Sequence, residues 1–157
     1  MAYESLNPYT GELLSSFPDA TNTEVDQAIE HAHNAFLTWK ETSFSERARV
    51  MHNTADILRR DVDFFANLLT IEMGKLIPEA KAEIALSADI FDYYANNAER
   101  LLASEKLPVA DPSEGDAVLS AEPLGILLAI EPWNFPFYQV ARIAAPQLSA
   151  GNTMLLK

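Results

Sequence analysis

The sequence has no cysteine and only five glycines, and the first scarcity narrows its chemistry at once. Without thiols there is no disulfide framework, no thiolate zinc site and no cysteine nucleophile within these 157 residues. Positive charge is also short. Eleven Lys and Arg face 23 Asp and Glu, and the net −12 repels phosphate backbones and anionic lipid surfaces, so neither nucleic acid nor membrane is an expected partner. Apolar residues are never continuous for long: the run from Gly125 to Ile130 is far too short to cross a bilayer. The opening Met1-Ala2-Tyr3-Glu4-Ser5 has no basic region leading into an apolar core. These features fit a soluble, cytoplasmic protein.

What is present is mostly helical pattern. Asn7-Pro8-Tyr9-Thr10-Gly11 is a turn signature between the short stretches Tyr3 to Leu6 and Leu13 to Phe17, which predicts a hairpin. Thr21 with Glu24, and Ser43 with Glu46, have the spacing of capping boxes, in which a hydroxyl and a carboxylate satisfy each other's backbone amides. Val25, Ala28, Ile29, Ala32, Phe36 and Trp39 then predict the inward stripe of a first helix, and Phe44, Ala48, Met51, Ala55 and Leu58 that of a second. A third helix is predicted from Asp61, with Phe64, Phe65, Leu68 and Leu69 apolar and Gly74 as a left-handed stop. A fourth, from Pro78 to about Ala103, points Ile84, Ala88, Phe91, Ala95 and Leu102 inward.

The texture changes at Lys106, where Pro108, Pro112 and Gly115 predict a loop. Beyond it Ala117 to Ala121 reads as a short strand, Gly125 to Ile130 as a buried one, Phe137 to Ser149 as a helix and Thr153 to Leu156 as another buried strand. Strand, helix and strand in about thirty residues make a βαβ unit with a parallel pair and a right-handed crossover. The expected class is α/β, with a helix-rich first half followed by that unit. Two parallel strands cannot cover both faces of a sheet, so these residues are expected to be part of a larger domain.

Ligands of open α/β sheets lie beyond the carboxyl ends of the strands, where loops and helix amino termini converge. Pro132-Trp133-Asn134-Phe135-Pro136 and Lys157 fall at those ends. Two prolines around an Asn present one amide N–H₂ with little conformational freedom, which suits an oxyanion; an Asn that bonds only local backbone in a structural turn is the other reading. Phe135, Tyr138, Gln139 and Arg142 follow at spacings of three and four, so one helix face can carry them.

Pro123-Leu124-Gly125, Ile130, Pro132-Trp133-Asn134-Phe135-Pro136, Gly151-Asn152 and Lys157 resemble the aldehyde dehydrogenase superfamily in identity and spacing. Weaker agreements are the Asn7-Pro8 to Gly11 turn, Trp39, and Glu72-Met73-Gly74-Lys75 before Glu79-Ala80. The resemblance implies the amino-terminal part of a Rossmann-type cofactor domain: residues 1–105 its helical part, 106–124 a loop and strand of the oligomerisation region, and 125–157 the start of the dinucleotide-binding sheet. It also implies NAD or NADP as cofactor, an aldehyde as substrate and a homo-oligomer when full length.

By the same resemblance Asn134 is the oxyanion-stabilising residue, Lys157 bonds the adenosine ribose, and Ile130, Glu131, Pro132 and Trp133 lie against the ribose and diphosphate, although Trp133 could equally pack in a core. Phe135, Tyr138 and Arg142 border the substrate tunnel. Arg142 resembles the succinate-semialdehyde branch, where a guanidinium fork suits a carboxylate; a surface Arg paired with helix neighbours is the plainer alternative. The thiol nucleophile is missing and no Glu matches the base, so no turnover is expected of these residues alone.

Other features read as structural. His31 and His33 face different directions on a helix and His52 has no sequence partner, so no metal site is expected. Glu79 and Glu83 share a helix face that reads as solvated surface, and Phe64-Phe65 and Tyr93-Tyr94 read as packing pairs. The competing functional class is a non-enzymatic, acidic helical protein-interaction module, which dinucleotide affinity would exclude.

Overall fold

The computed structural model describes residues 3–111, 113 and 115–157; the expected loop breaker Pro112 and the first two residues lie outside these. The chain runs β1 (Tyr3–Leu6), β2 (Leu13–Phe17), α1 (Asn22–Trp39), α2 (Phe44–Arg60), α3 (Val62–Met73), α4 (Ile77–Leu101), β3 (Glu105–Leu107), β4 (Ala117–Leu119), β5 (Ile126–Ala129), α5 (Pro136–Ser149) and β6 (Thr153–Leu156). Both capping boxes form. The Thr21 hydroxyl accepts from the Glu24 N–H at 3.2 Å while Glu24 accepts the Thr21 N–H at 2.8 Å, and Ser43 with Glu46 repeats the same distances. Asn7 closes the first hairpin by accepting from the Tyr9 and Thr10 amides. Gly74 ends α3 at φ 71°, and a Cβ there would meet Pro8 Cγ at 3.2 Å, so glycine is required twice over.

Strands pair as three separate two-stranded sheets: β1 with β2 and β3 with β4 antiparallel, and β5 with β6 parallel in the register Ile126 to Thr153 through Ala129 to Leu156. The core lies among α2, α3, α4 and α5, around Met51, Leu58, Leu69, Ile84, Phe91 and Ala145. Fully buried alanines at 80, 88, 141 and 145 let the helix axes approach closely. No helix among the described residues is long and apolar enough to cross a membrane.

Four expectations need correction, and His52 gains a partner. The segment from Gly125 to Ile130, expected as a buried strand, leaves Leu128 and Ile130 66% and 69% exposed, because the pair β5–β6 is covered on one side only. Glu105–Leu107 is a strand and not the start of the loop, because Lys106 pairs with Val118 across the hairpin and its ammonium reaches Asp116 at 3.0 Å. On α1 only part of the stripe is covered: Ala28, Ala32, Phe36 and Trp39 are half-buried, but Val25 and Ile29 are exposed, since the helix packs on a sheet only two strands wide. On α3, Phe64 and Leu68 face solvent while Ala66 and Leu69 are buried, because α3 is covered on one side only, chiefly by α4. His52, without a partner in the linear sequence, lies 2.6 Å from Asp92, which also pairs with Arg59 at 2.6 Å.

Burial pushes the Asp92 carboxyl up, but hydrogen bonds from His52 and Arg59 outweigh it and hold the group below the usual carboxylate range. Glu24 and Glu46 are lowered by the backbone amide, then the hydroxyl, of Thr21 and Ser43 respectively. A carboxyl depressed on folding contributes stability above its unfolded pKa and loses it as the pH falls through the folded value. The thermal midpoint should therefore drop as pH falls from about 5 to 3, and Glu24→Gln with Glu46→Gln should flatten that slope. Midpoint curves for parent and variant that run parallel across this range would contradict the assignment.

Candidate functional site

The site grows from the carboxyl end of β5. The parallel ladder continues one step past the strands: the Lys157 N–H donates to the Ala129 carbonyl and the Glu131 N–H to the Lys157 carbonyl, each at 2.8 Å. Pro132 then takes the chain out of the sheet, and Trp133 and Asn134 form a turn into Pro136, the first residue of α5. Ile130 and Trp133 stand 69% and 78% exposed, so Trp133 is not a core residue; the chain has already left the packed layer at Pro132. Asn134 is exposed as well, and its carboxamide makes no hydrogen bond among the described residues.

The residue before α5 is Phe135, which has no side-chain acceptor for the first amides of the helix. The acceptor comes from α4. Glu83 Oε1 takes the Phe137 N–H at 3.0 Å and the Tyr138 N–H at 3.2 Å, and its other oxygen pairs with Lys75 Nζ. Lys75 is aimed by the turn after α3, where Thr70 Oγ1 donates to the Lys75 carbonyl at 2.8 Å. Its ammonium also lies 3.4 Å from the Asn134 carbonyl and 3.6 Å from the centre of the Phe135 ring. The Glu83 side chain is 1% exposed, which overturns the solvated-surface reading for that residue while Glu79 remains on the surface. The missed signal was positional: 83 lies three residues after Ala80 and four before Ser87, inside the buried arc of α4.

The other end of α5 is held as firmly. Trp39 Nε1 donates to the Leu148 carbonyl and Arg47 Nε to the Ser149 carbonyl, both at 2.9 Å. The Gly151 N–H reaches Leu148 and the Asn152 N–H reaches Gln147, with Gly151 at φ 95°, the pattern of a Schellman stop. Asn152 Oδ1 then accepts the Gly125 N–H at 3.0 Å, tying the entry of β6 to the entry of β5.

Along the first turns of α5 the predicted face forms. The Phe135 and Tyr138 rings meet edge-on at 6.3 Å, and the Arg142 guanidinium lies 5.8 Å from the Tyr138 ring. Arg142 is exposed and has no ion-pair partner among the described residues. Two hollows flank this helix start: one of about 310 Å³ reaches from Leu68 and Met73 to Trp133, and an apolar one of about 340 Å³ lies among Leu58, Phe91 and Val140. The structure therefore gathers Ile130, Glu131, Pro132, Trp133 and Lys157 at one strand-end edge, with Asn134, Phe135, Tyr138 and Arg142 continuing from it.

A parallel β-pair with a proline-bounded turn leading into a capped helix is the kind of edge at which open α/β sheets receive ligands. The family model described as the aldehyde dehydrogenase family matches residues 1–157, and the chain belongs to that family. It is 47% identical over 157 residues to succinate-semialdehyde dehydrogenase [NADP(+)] 1 of Mycobacterium tuberculosis, covering 100% of this chain and 34% of that protein. A succinate-semialdehyde dehydrogenase [NADP(+)] of Deinococcus radiodurans is 44% identical over 155 residues, covering 99% and 32%. The crystal structure of succinic semialdehyde dehydrogenase from Streptococcus pyogenes in complex with NADP+ superposes with a TM-score of 0.92 at 41% identity, over 99% of this chain and 34% of that one. The chain thus spans about a third of the length of these relatives. The likeness extends over β1 to β6, and the α/β class with a helix-rich first half and a terminal βαβ unit stands.

Removing one member of a buried ion pair costs about 3–5 kcal/mol, because the other charge is left unpaired. Glu83→Ala should destabilise the protein by that amount, whereas exposed Glu79→Ala should cost less than about 1 kcal/mol. Denaturant unfolding measures both, and equal losses would refute the distinction.

Proposed function

We propose that this chain is the amino-terminal part of an NAD(P)-dependent aldehyde dehydrogenase that oxidises succinate semialdehyde to succinate. One observation carries the reading: an exposed carboxamide, Asn134, held in a proline-bounded turn at the carboxyl edge of a parallel pair, in a chain of the aldehyde dehydrogenase family. Asn134 donates an N–H to the aldehyde oxygen, and that bond strengthens as negative charge gathers there during nucleophilic addition. The nucleophilic thiol is not among these residues, which contain no cysteine.

The strand-end edge fits a dinucleotide. Exposed apolar surface at Ile130 and Trp133 suits the ribose faces, and Lys157, joined to Glu131 through the ladder, brings a cation to the ribose hydroxyls. Pro132 keeps the segment rigid. The bound nicotinamide supplies the hydride acceptor. The relatives named above carry NADP in their names, which supports NADP while NAD remains within the reading. Residues 106–124, with the β3–β4 hairpin and exposed Val118 and Leu119, supply subunit contacts in a homo-oligomer of the complete, cytoplasmic enzyme, residues 1–105 form the helical part of its cofactor domain and 125–157 begin its dinucleotide sheet.

Phe135, Tyr138 and Arg142 line the approach to the aldehyde, and the guanidinium binds the far carboxylate of the substrate. In the complete enzyme, Asn134→Ala should lower kcat by about 10²–10³, the usual effect of losing one oxyanion donor. Unchanged turnover would remove the catalytic assignment. Arg142→Leu should raise KM for succinate semialdehyde by tenfold or more, about the 1.4 kcal/mol expected of a charge-assisted hydrogen bond, and leave KM for an uncharged aldehyde nearly constant. Equal shifts for both substrates would sink the carboxylate role.

A further inference from the structure

Lys75 and Glu83 are deeply buried, with side chains 9% and 1% exposed, yet neither is used by the chemistry proposed above. Their contacts concentrate on one short segment. Lys75 Nζ lies against the Asn134 carbonyl at 3.4 Å and over the Phe135 ring at 3.6 Å, and Glu83 Oε1 accepts from the Phe137 and Tyr138 amides. The pair therefore grips the turn on both sides of Pro136.

A buried lysine–glutamate pair is a poor source of stability, because desolvating two charges offsets most of their attraction, and well-packed apolar residues would join α3 to α4 about as well. Apolar residues could not hold a backbone carbonyl on one side of a turn and two backbone amides on the other. The Asn134 carboxamide projects from the same Cα whose carbonyl faces the ammonium, and next to it the Phe135 ring is pinned by the cation. Holding these groups restricts the backbone torsions of the turn, and with them the direction of the Asn134 Cα–Cβ bond.

We infer that Lys75 and Glu83 are positioning residues for the Asn134 carboxamide, an inference that rests on the reading of Asn134 as the oxyanion donor. They touch neither aldehyde nor dinucleotide. They act through the turn, which arrives already oriented instead of being ordered by substrate.

The test is a double-mutant cycle in the complete enzyme, with kcat for the aldehyde measured at saturating dinucleotide and dinucleotide affinity measured separately. Lys75→Met should lower kcat by about tenfold or more, since a small misplacement of a positioned group can cost up to about 10²-fold, and dinucleotide affinity should stay within about twofold. In an Asn134→Ala background the same substitution should change kcat by less than about twofold, because no carboxamide is left to misplace. The same loss in both backgrounds, or no loss with Asn134 present, overturns the inference. Where Lys75→Met does not fold, Lys75→Met with Glu83→Gln leaves no unpaired buried charge and keeps a carbonyl acceptor for the α5 amides, and it is read by the same criteria. Asn134→Ala with full turnover overturns the oxyanion reading and this inference together, whereas a large Asn134→Ala loss with additive Lys75→Met overturns this inference alone.

Discussion

The carboxylate of Glu83 decides where α5 begins, and most of the functional edge is arranged around that helix. A helix start needs acceptors for its first amides, and the residues entering α5 are Phe135 and Pro136, which have none. Glu83 fills the gap from a neighbouring helix, and Lys75 balances its charge. At the far end Arg47 and Trp39 meet the last carbonyls. Anion at the amino terminus and cation at the carboxyl terminus is the sign that the helix dipole favours, so both ends act in the same direction. With α5 fixed, the turn before it, the aromatic face along it and the glycine stop after it each have one place to be.

Local pattern made much of this legible. The two capping boxes, the glycine stop at 74, the stripe on α2 and the βαβ unit all depend on residues close in sequence, and they form as the spacing predicts. The strand-end motif was legible for the same reason, since Pro132 to Pro136 is one continuous turn. What stayed hidden depends on partners far apart. Glu83 looked like a solvated carboxylate because its partners at 75, 137 and 138 come from other elements, and an acidic residue on a helix gives no local sign of having them. Lys106 looks like loop in the linear sequence for the complementary reason: the strand exists only through its pairing with Val118. The exposed half of the α1 stripe and Phe64 show the limit of periodicity, which ranks faces without saying how much of each is covered.

The proposed carboxylate subsite rests on one feature of the geometry. A guanidinium on the same helix face as two aromatic rings, exposed and without a carboxylate partner among the described residues, is a site able to discriminate by charge. In the proposed reading it stands on the helix that begins two residues after Asn134, so the groups meant for the aldehyde and for the anion are carried by one helix and the turn that enters it.

The clamp on α5 also orders events in time. Each group that receives this helix is made before it, the carboxylate 54 residues ahead of the first amide it binds, the guanidinium 102 and the indole 109 ahead of the carbonyls they cover. A ribosome delivers the chain in that direction. The helical half can thus be assembled as a dock while α5 is still inside the exit tunnel, and the turn from Pro132 to Pro136 emerges after it, onto a berth already built.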